Sequence, residues 1–520
     1  MHRFVLAVAL AFSARALADE EAVTPAPSES PEAFRVDGSY RLRFGDQSDI
    51  PIDQVRGASG PATFDRLGQT RFSLHRLRIE PKLSQKGKFE FGMQLDLLSG
   101  LLSSSPGAAS DFGGLSSAQR SGSGSALNGF QVRKLYLHYT TPVGLVMLGQ
   151  MASEWGLGLI ANAGDGEENV DFGDKQFGDL VDRVLFATKP LALITGGSNK
   201  EDLVLAVGAD IVYSDATARL FVDDTQFNFH VADKAYQGLA ALRWKGEHEE
   251  LGVYVARRHQ TFRTAASDTL DVTVGDAYFR SKEPFFGYNL TSEGEVTVVS
   301  GSTNYLRNVN AATLAVRQAG AVLRAAFGKD GTDGGFELGY ASGDTNPFDA
   351  TASNFSFNRD YKVSLLLFDE LVAWQSARSA ARLSDPALLG QAPNGINLLP
   401  TNGAVTNALY AKPTIHWRPL PRLQLVGAVL WARAVNDPLD VYNSFASGGS
   451  RVNAFTAPVG KNYGVELDGG VSYRFALSDP LELVLGLQGG VLLPGDAFTL
   501  ADGSALATIY GGRARATLTW

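Results

Sequence analysis

The segments that most constrain the fold of this chain are those in which apolar and polar residues alternate one by one. The clearest is 88–97, in which Phe89, Phe91 and Met93 begin an apolar series that alternates with polar and charged residues. The same alternation extends over 463–475. Because successive side chains of a β-strand point to opposite faces, each segment predicts a strand with one apolar and one polar face. Several segments exceed the roughly 5–6 residues of a globular strand and approach the roughly 10 residues of a strand that crosses a bilayer.

The connections between the predicted strands alternate between long and short along the chain. Nine strands can be placed from the N-terminal side, near 34–45, 68–83, 87–99, 129–141, 143–151, 180–190, 201–214, 234–245 and 249–261. Five more can be placed from the C-terminal side, near 404–418, 422–435, 460–475, 480–494 and 509–520. Long loops on one side and short turns on the other are typical of bacterial outer-membrane barrels, whereas a β-sandwich has no reason to separate its loops in this way.

The middle stretch, 262–403, leaves the strand count open. If both ends of the barrel lie on the same side of the membrane, this stretch must hold an even number of strands. It has room for two or four, so the sequence predicts an all-β, transmembrane antiparallel β-barrel of 16 or 18 strands. A barrel of this size encloses an aqueous lumen unless loops fold into it.

The first residues of the chain predict export. A basic start, an apolar run over 4–12 and an A-x-A motif at 16–18 form the pattern of a secretory signal peptide, which we expect to span 1–18. The apolar run is too short to cross a bilayer as a helix. The acidic, Pro/Ser-rich segment 19–33 is expected to be a disordered periplasmic lead-in, so the barrel is expected to occupy 34–520.

The last predicted strand ends on an aromatic residue. Tyr510, Leu518 and Trp520 fall on one of its faces, and arginine and threonine residues fall on the other. This strand resembles the terminal strand of bacterial outer-membrane barrels, which closes the barrel and is recognised by the barrel-assembly machinery. We therefore expect the bacterial outer membrane as the location. The expected partners are its lipid and lipopolysaccharide and, through Trp520, the assembly machinery.

The composition excludes several other kinds of function. The chain has no cysteine, so disulfides and cysteine-based chemistry are excluded. Its net charge of −9 argues against a nucleic-acid partner. The 7 histidines form no metal-binding pair, and the sequence contains neither a nucleophile elbow nor a phosphate-binding loop. We therefore predict no enzyme activity, no catalytic residue, no metal site and no cofactor.

One acidic segment, 165–179, has two interpretations. Its carboxylates could bind calcium, although their spacing is not that of an EF-hand. We favour a solvated outer loop, or one that divalent ions bridge to lipopolysaccharide.

The charged faces of the predicted strands indicate what lines the lumen. If the apolar face of each strand contacts lipid, the opposite face points inward. The pore-lining candidates on that face are Arg41, Arg43, Arg76, Arg78, Arg474, Arg513, Arg515, Glu466 and Asp468. Because first and last strands pair when a barrel closes, their arginines are expected to form one basic sector. Such a sector would hold and guide anions, or, in the alternative interpretation, its charges only stiffen the wall.

The second predicted strand contains a break in this pattern. Phe72 and Leu74 are apolar residues that fall on the same face as Arg76 and Arg78. A β-bulge between the two pairs would restore the phase, and we expect one there.

Three segments resemble the alginate-export type of outer-membrane protein. They are 336–348 (FELGYASGDTNPF), 463–468 (YGVELD) and 492–498 (LLPGDAF). The chain is also similar to uncharacterised outer-membrane proteins of myxobacteria. The resemblance implies a monomeric barrel of 18 strands, with an arginine-lined lumen that attracts anions.

Three functional hypotheses follow. The first is a porin-like channel for the passive diffusion of polar or anionic solutes through a partly arginine-lined lumen. The second is an alginate-like polysaccharide export pore. The third is a surface adhesin or binding protein on a barrel scaffold, with loops 100–128 and 374–403 as its binding parts.

Overall fold

The chain forms one closed antiparallel barrel. The computed structural model describes residues 32–55, 63–85, 88–104, 126–165, 171–175, 178–195, 202–218, 233–262, 265–305, 311–329, 331–383 and 400–520. The expected signal peptide and most of the expected lead-in therefore lie outside the described residues. So do 105–125 and 384–399, which are most of the two loops considered for adhesion.

Eighteen strands make up the wall. They are β1 (Glu32–Gln47), β2 (Thr70–Gln85), β3 (Phe89–Ser104), β4 (Gln131–Thr141), β5 (Gly144–Ala152), β6 (Leu180–Thr188), β7 (Asp202–Ser214), β8 (Lys234–Lys245), β9 (Glu249–Phe262), β10 (Ala265–Phe285), β11 (Tyr288–Thr303), β12 (Leu314–Lys329), β13 (Thr332–Ala341), β14 (Ala408–Leu420), β15 (Leu423–Ala434), β16 (Asn462–Ser478), β17 (Leu481–Pro494) and β18 (Ile509–Thr519). Each pairs with its neighbours in sequence, and β1 pairs with both β2 and β18. The prediction of a barrel with 18 strands is confirmed, because the undecided middle stretch supplies four of them.

Short elements decorate the connections between these strands. Helices span Pro190–Thr195, Leu367–Val372, Ala373–Leu383, Val441–Ala446 and Asp496–Phe498, and short strands span Pro51–Val55, Thr63–Arg66, Ala126–Asn128 and Thr351–Ala352. The helix over Leu367–Val372 is a π-helix that continues directly as the α-helix Ala373–Leu383. Within the described part of the chain, no helix is both long and apolar enough to cross a membrane.

The alternation of side chains along each strand gives the wall an apolar outer face. In β9, Val253 and Val255 are 51% and 45% exposed on the outside, whereas Tyr254 and Ala256 are buried on the inside. Because the barrel is closed, each of the eighteen wall strands pairs with a neighbour on both sides. These are the features that a strand wall needs in order to stand in a bilayer.

The second strand does not have the expected β-bulge in its pairing with β1, although its pairing with β3 shifts register between Ser73 and Leu74 and between Leu77 and Arg78. β2 pairs with β1 without a break in register from Thr70 to Gln85. Phe72 and Leu74 therefore face inward together with Arg76, and both are buried. The ring of Phe72 lies over Gly45 of β1, where a Cβ atom would be only 2.1 Å from it. Packing inside the barrel explains why Phe72 and Leu74 are apolar. The same set of alternate side chains faces inward from Phe72 to Arg78.

The connections are short on one side of the barrel, the turn side, and mostly long on the other, the loop side. Phe286 and Gly287 join β10 to β11 with positive φ values of 50° and 80°, as in a type I′ hairpin turn. On the loop side, two long connections fold into the barrel. We call them the first inserted segment (153–165, 171–175 and 178–179) and the second inserted segment (342–383 and 400–407).

The largest apolar core of the molecule lies inside the barrel. It forms where the second inserted segment packs against the inner wall, and its fully buried members include Leu367, Phe368 and Trp374. Tyr410 of β14 and Leu430 of β15 contribute from the wall. Burying a large apolar side chain stabilises a fold by roughly 1.5–3 kcal/mol, so this core fixes the segment inside the lumen.

Candidate functional site

The closure of the barrel brings together arginines from both ends of the chain. In the pairing of β1 with β18, Arg43 lies directly opposite Arg515. On the other side of β1, Arg41 lies opposite Arg76 of β2. All four face inward, so the sequence-predicted basic sector exists as a neighbourhood of side chains.

This sector is not open, because the first inserted segment places a carboxylate in it. Asp174 lies 3.4 Å from Arg43, 3.6 Å from Arg515 and 3.9 Å from Arg41. Arg41 and Arg43 are only 1% and 5% exposed. Burial alone would raise the pKa of Asp174, but the surrounding guanidinium groups lower it below its ordinary value. Three arginines of the inner wall thus surround one aspartate of the first inserted segment.

Arg513 makes a second connection between the last strand and an inserted segment. Its guanidinium group donates to Asp369 at 2.7 Å and to Glu370 at 3.0 Å, and both acids lie on the π-helix of the second inserted segment. Lys362 also binds Asp369, at 2.6 Å. Burial acts to raise the pKa of Asp369, but the two cations outweigh it and bring the pKa to about 2.

Arg78 anchors the first inserted segment at another point. It donates to Asp96 of β3 at 2.6 Å and to Asp165 of the segment at 2.6 Å. Lys134 of β4 also reaches Asp165, at 2.5 Å. Arg78 therefore joins the wall to the segment.

Arg474 is the one candidate arginine that lies apart from the sector. Its side chain is about half exposed near the turn side and pairs with Glu482 at 3.0 Å. Arg474 does not join the basic sector, because it lies close to the short turn between β16 and β17.

Glu466 on β16 holds the backbone of the second inserted segment. Its carboxylate is fully buried and accepts hydrogen bonds from three consecutive backbone N–H groups, those of Leu365, Leu366 and Leu367, at 2.9, 2.7 and 2.8 Å. Three donors on one carboxylate satisfy backbone groups that would otherwise be buried without partners.

A glycine makes room for this contact. A Cβ atom on Gly490 of β17 would lie 2.5 Å from Oδ1 of the buried Asp468 and 3.3 Å from the side chain of Leu366. The absence of a side chain at this position lets the second inserted segment lie directly on the wall. Glu466 and Asp468 thus face inward as predicted, and their surroundings are the inserted segment.

Glu295 on β11 holds the first inserted segment in the same way. It accepts hydrogen bonds from the backbone N–H groups of Leu157 and Leu159, and the neighbouring Asp276 accepts one from the indole N–H of Trp155 at 2.8 Å. Sequence reasoning missed both acids, because they lie in the middle stretch whose strands were not assigned. The sequence signal that could have identified them is the position of both acids on inward faces of strands, together with the glycine-rich segment at 155–159.

The sequence favours a solvated outer loop for the acidic segment 165–179. The described part of this segment instead lies against the inner wall. Asp171 binds His416 at 2.7 Å and lies 3.6 Å from Lys412, both on β14. Burial acts to raise the pKa of Asp171, but His416 and Lys412 bring it to about 2. The segment turns inward because its carboxylates find cations on the inner wall. The described residues include no group of three or more side chains arranged to hold a metal ion.

A cavity of about 370 Å³ lies in the loop-side half of the lumen. Wall strands β6 to β12 and the second inserted segment contribute most of its boundary. Val272, Val299 and Val316 form an apolar part of the lining, and the ion pair of Arg258 with Asp215, at 2.5 Å, lies in a polar part. Among the described residues that line the cavity, none is one of the nine candidates selected from the sequence.

A closed barrel of 18 strands with inward-folded loops is the architecture of a porin-like outer-membrane barrel. In comparisons of structure, the chain is similar to OccAB1 of Acinetobacter baumannii, with a TM-score of 0.50 and 10% sequence identity over 93% of this chain and 96% of that one. It is also similar to a BenF-like porin from Pseudomonas fluorescens Pf-5, with a TM-score of 0.50 and 9% identity over 94% and 98%. At these identities the likeness concerns the fold.

Comparisons of sequence give no match. Neither a protein-family model nor a curated protein matches the chain. The resemblance to alginate-export proteins therefore stays a prediction.

Proposed function

We propose that this chain is an outer-membrane channel through which small polar or anionic solutes diffuse passively. The observation that carries the proposal is the cavity that remains inside a closed 18-stranded barrel whose lumen two inserted segments narrow. Barrels of this size enclose a water-filled lumen, and inward-folded loops restrict what can pass. Passage by diffusion needs no cofactor and no covalent step.

The proposed location is the bacterial outer membrane, reached after removal of a signal peptide at 1–18. The apolar outer face of the wall supports it, and so does the asymmetry of loop length, with the turn side in the periplasm. Trp520 lies against β1, where its backbone N–H group and carbonyl exchange hydrogen bonds with Gly38 at 3.0 Å. We propose that the barrel-assembly machinery recognises this last strand.

The proposed pore-lining role of the arginines in the basic sector rests on their charge. Around Asp174, three guanidinium groups face one carboxylate, and the side chain of Arg515 keeps 20% of its surface exposed. A surplus of positive charge on a confined wall raises the local concentration of anions. The clustering of three guanidinium groups on one part of the inner wall supports a preference for anions there.

The other two hypotheses gain no specific support from the described residues. For polysaccharide export, a polymer would have to pass a lumen in which the second inserted segment is packed through Trp374 and its neighbours. For adhesion, most of the two loops considered lies outside the described residues. We therefore propose diffusion as the function.

Conductance across a planar bilayer tests the proposed function. The purified full-length protein is expected to give stable open-channel currents in KCl. Its reversal potential in a salt gradient is expected to favour chloride modestly. A protein that inserts into the bilayer but carries no current would rule out the channel.

A further inference from the structure

The lumen wall contains an apolar region where a channel wall is normally polar. Val272 of β10, Val299 of β11 and Val316 of β12 face inward and are 5%, 8% and 2% exposed. Their outward neighbours, such as Val298 at 52% exposed, continue the apolar outer face. These strands are therefore apolar on both faces over part of their loop-side half, although lumen-facing positions of wide barrels are usually polar.

This apolar region lies against a cavity rather than only against protein. Phe355 and Phe357 of the second inserted segment belong to the same buried apolar cluster as the three valines. All five residues nevertheless line the cavity of about 370 Å³. Its volume falls in the range of roughly 300–1,000 Å³ that is typical of small-molecule sites. An apolar group of a solute would bury surface here that water otherwise wets.

The polar part of the lining offers amide groups. Gln318 of β12 and Gln375 and Asn402 of the second inserted segment line the same cavity. Side-chain amides both donate and accept hydrogen bonds and carry no net charge. They suit hydroxyl or amide groups on a solute.

The charged groups at the cavity already bind partners within the chain. Asp215 pairs with Arg258 at 2.5 Å. Asp179 accepts a hydrogen bond from the side-chain amide of Asn358 at 2.5 Å, and Asp440 accepts one from the backbone N–H group of Asn443 at 2.6 Å. Burial raises the pKa of Asp440 to about 7, so this carboxyl group carries only part of a charge at neutral pH. The described lining carries two arginines, Arg258 and Arg359, against five aspartates, so it does not favour a carboxylate.

We propose that this cavity binds an uncharged amphipathic solute, with an aromatic or branched aliphatic group against the valine and phenylalanine side chains and a hydroxyl or amide group at Gln318. The site is separate from the arginine sector and belongs to the opposite part of the wall. The inference goes beyond the proposed diffusion of polar or anionic solutes, because it assigns a binding step to one class of solute.

Calorimetry on the detergent-solubilised full-length protein tests this site without requiring a current. Three probes are compared, namely phenyl β-glucoside, glucose and benzoate. We expect phenyl β-glucoside to bind measurably with a negative heat-capacity change, as burial of apolar surface requires. We expect glucose and benzoate to bind at least about tenfold more weakly, since one lacks the apolar group and the other replaces the neutral head group with a charge.

Paired variants locate the binding in the cavity. Val272→Thr combined with Val299→Thr keeps the volume but removes two apolar contacts, and is expected to weaken binding of phenyl β-glucoside about tenfold. Val298→Thr makes the same change on the outer face of the same strand and is expected to leave binding unchanged. Retained heat-modifiable mobility on gels shows that each variant is folded.

Three results would overturn the site. They are equal binding of glucose and phenyl β-glucoside, tighter binding of benzoate, and unchanged binding in the folded double variant. The channel proposal fails separately, through a silent bilayer, and calorimetric binding would survive that failure.

Discussion

Asp174 Oδ1 lies 3.6 Å from Nη1 of Arg515, so a residue of a mid-chain loop contacts the last strand of the barrel. The other oxygen of the same carboxylate lies 3.4 Å from Arg43 of the first strand. One loop side chain therefore spans the line along which the barrel closes. The basic sector is therefore also the site that holds the first inserted segment.

Replacing Asp174 by asparagine removes the only carboxylate whose ion pairs with Arg41, Arg43 and Arg515 are described. We expect the reversal potential of Asp174→Asn in a KCl gradient to shift toward chloride, because the substitution removes one negative charge from among the guanidinium groups. Loss of one partner from a buried ion pair costs roughly 3–5 kcal/mol, so urea unfolding in lipid vesicles should occur at lower denaturant concentration. Asp502→Asn, on an exposed loop, makes the same charge change and is the control. An identical reversal potential in both variants would show that the charges around Asp174 do not determine ion selectivity.

Replacing Glu466 by glutamine should release the second inserted segment. The amide offers one acceptor oxygen and turns its own N–H groups toward backbone donors, which leaves buried N–H groups of Leu365–Leu367 without partners. We expect Glu466→Gln to lose roughly 2–4 kcal/mol of unfolding free energy and to show larger, noisier single-channel currents. Glu482→Gln removes a carboxylate from the partly exposed pair with Arg474 and should cost at most about 1 kcal/mol. Quiet, wild-type currents in a folded Glu466→Gln protein would contradict the anchoring role.

Two adjacent glycines of β17 give a matched pair of substitutions. A Cβ atom at Gly490 would lie 2.5 Å from Asp468 and 3.3 Å from Leu366, whereas one at Gly489, on the outer face, would meet its nearest neighbour at 3.7 Å. We expect Gly490→Ala to lower stability and alter conductance, because the segment must move from the wall. Gly489→Ala should behave as wild type. The comparison is made by conductance and by urea unfolding, and equal behaviour of the two variants would refute the close contact.

The pH dependence of stability should depend on Asp440. Burial raises the pKa of this carboxyl group to about 7 in the folded protein, above its ordinary value of 3.8. The folded state then binds more protons than the unfolded state between about pH 4 and pH 7. Stability falls as pH rises through that window, by up to about 1.4 kcal/mol per pH unit for this group.

Asp440→Asn keeps an acceptor for the Asn443 N–H group and removes the titration. Its urea midpoint should therefore depend less steeply on pH between 4 and 7 than that of the wild type. Asp174 and Asp369 act in the opposite direction, because their pKa values are lowered, and their contributions are lost only when the pH falls through those lowered values. An unchanged slope in Asp440→Asn would show that other carboxyl groups dominate this window.

The barrel could be predicted from the sequence because its strands repeat one physical pattern. Alternation places Arg41 and Glu466 on inward faces without any knowledge of their partners. Phe72 and Leu74 follow the same rule, and only the assumption that inward residues must be polar led to the expected bulge. The strand count needed the structure, since β10 to β13 lie in a stretch whose boundaries were not assigned.

The inserted segments could not be predicted, because their contacts depend on no periodic pattern. The three N–H groups that bind Glu466 are backbone groups, which every residue other than proline carries. From the sequence alone, Asp174 cannot be distinguished from a solvated loop residue, because only the structure shows its distance from Arg43. The valines that line the cavity could not be predicted either, since a strand that is apolar on both faces shows no alternation at that point.

The position of Asp174 between Arg43 and Arg515 also sets the order of two steps in assembly, the closure of the barrel and the docking of the first inserted segment. Arg515 joins Arg41 and Arg43 only when the first and last strands meet, and the last strand is the final part of the wall to be synthesised. The first inserted segment can gain all three ion pairs only after closure. We therefore expect the assembling barrel to have a wider lumen than the finished one, and the narrowing of the lumen to report that closure is complete.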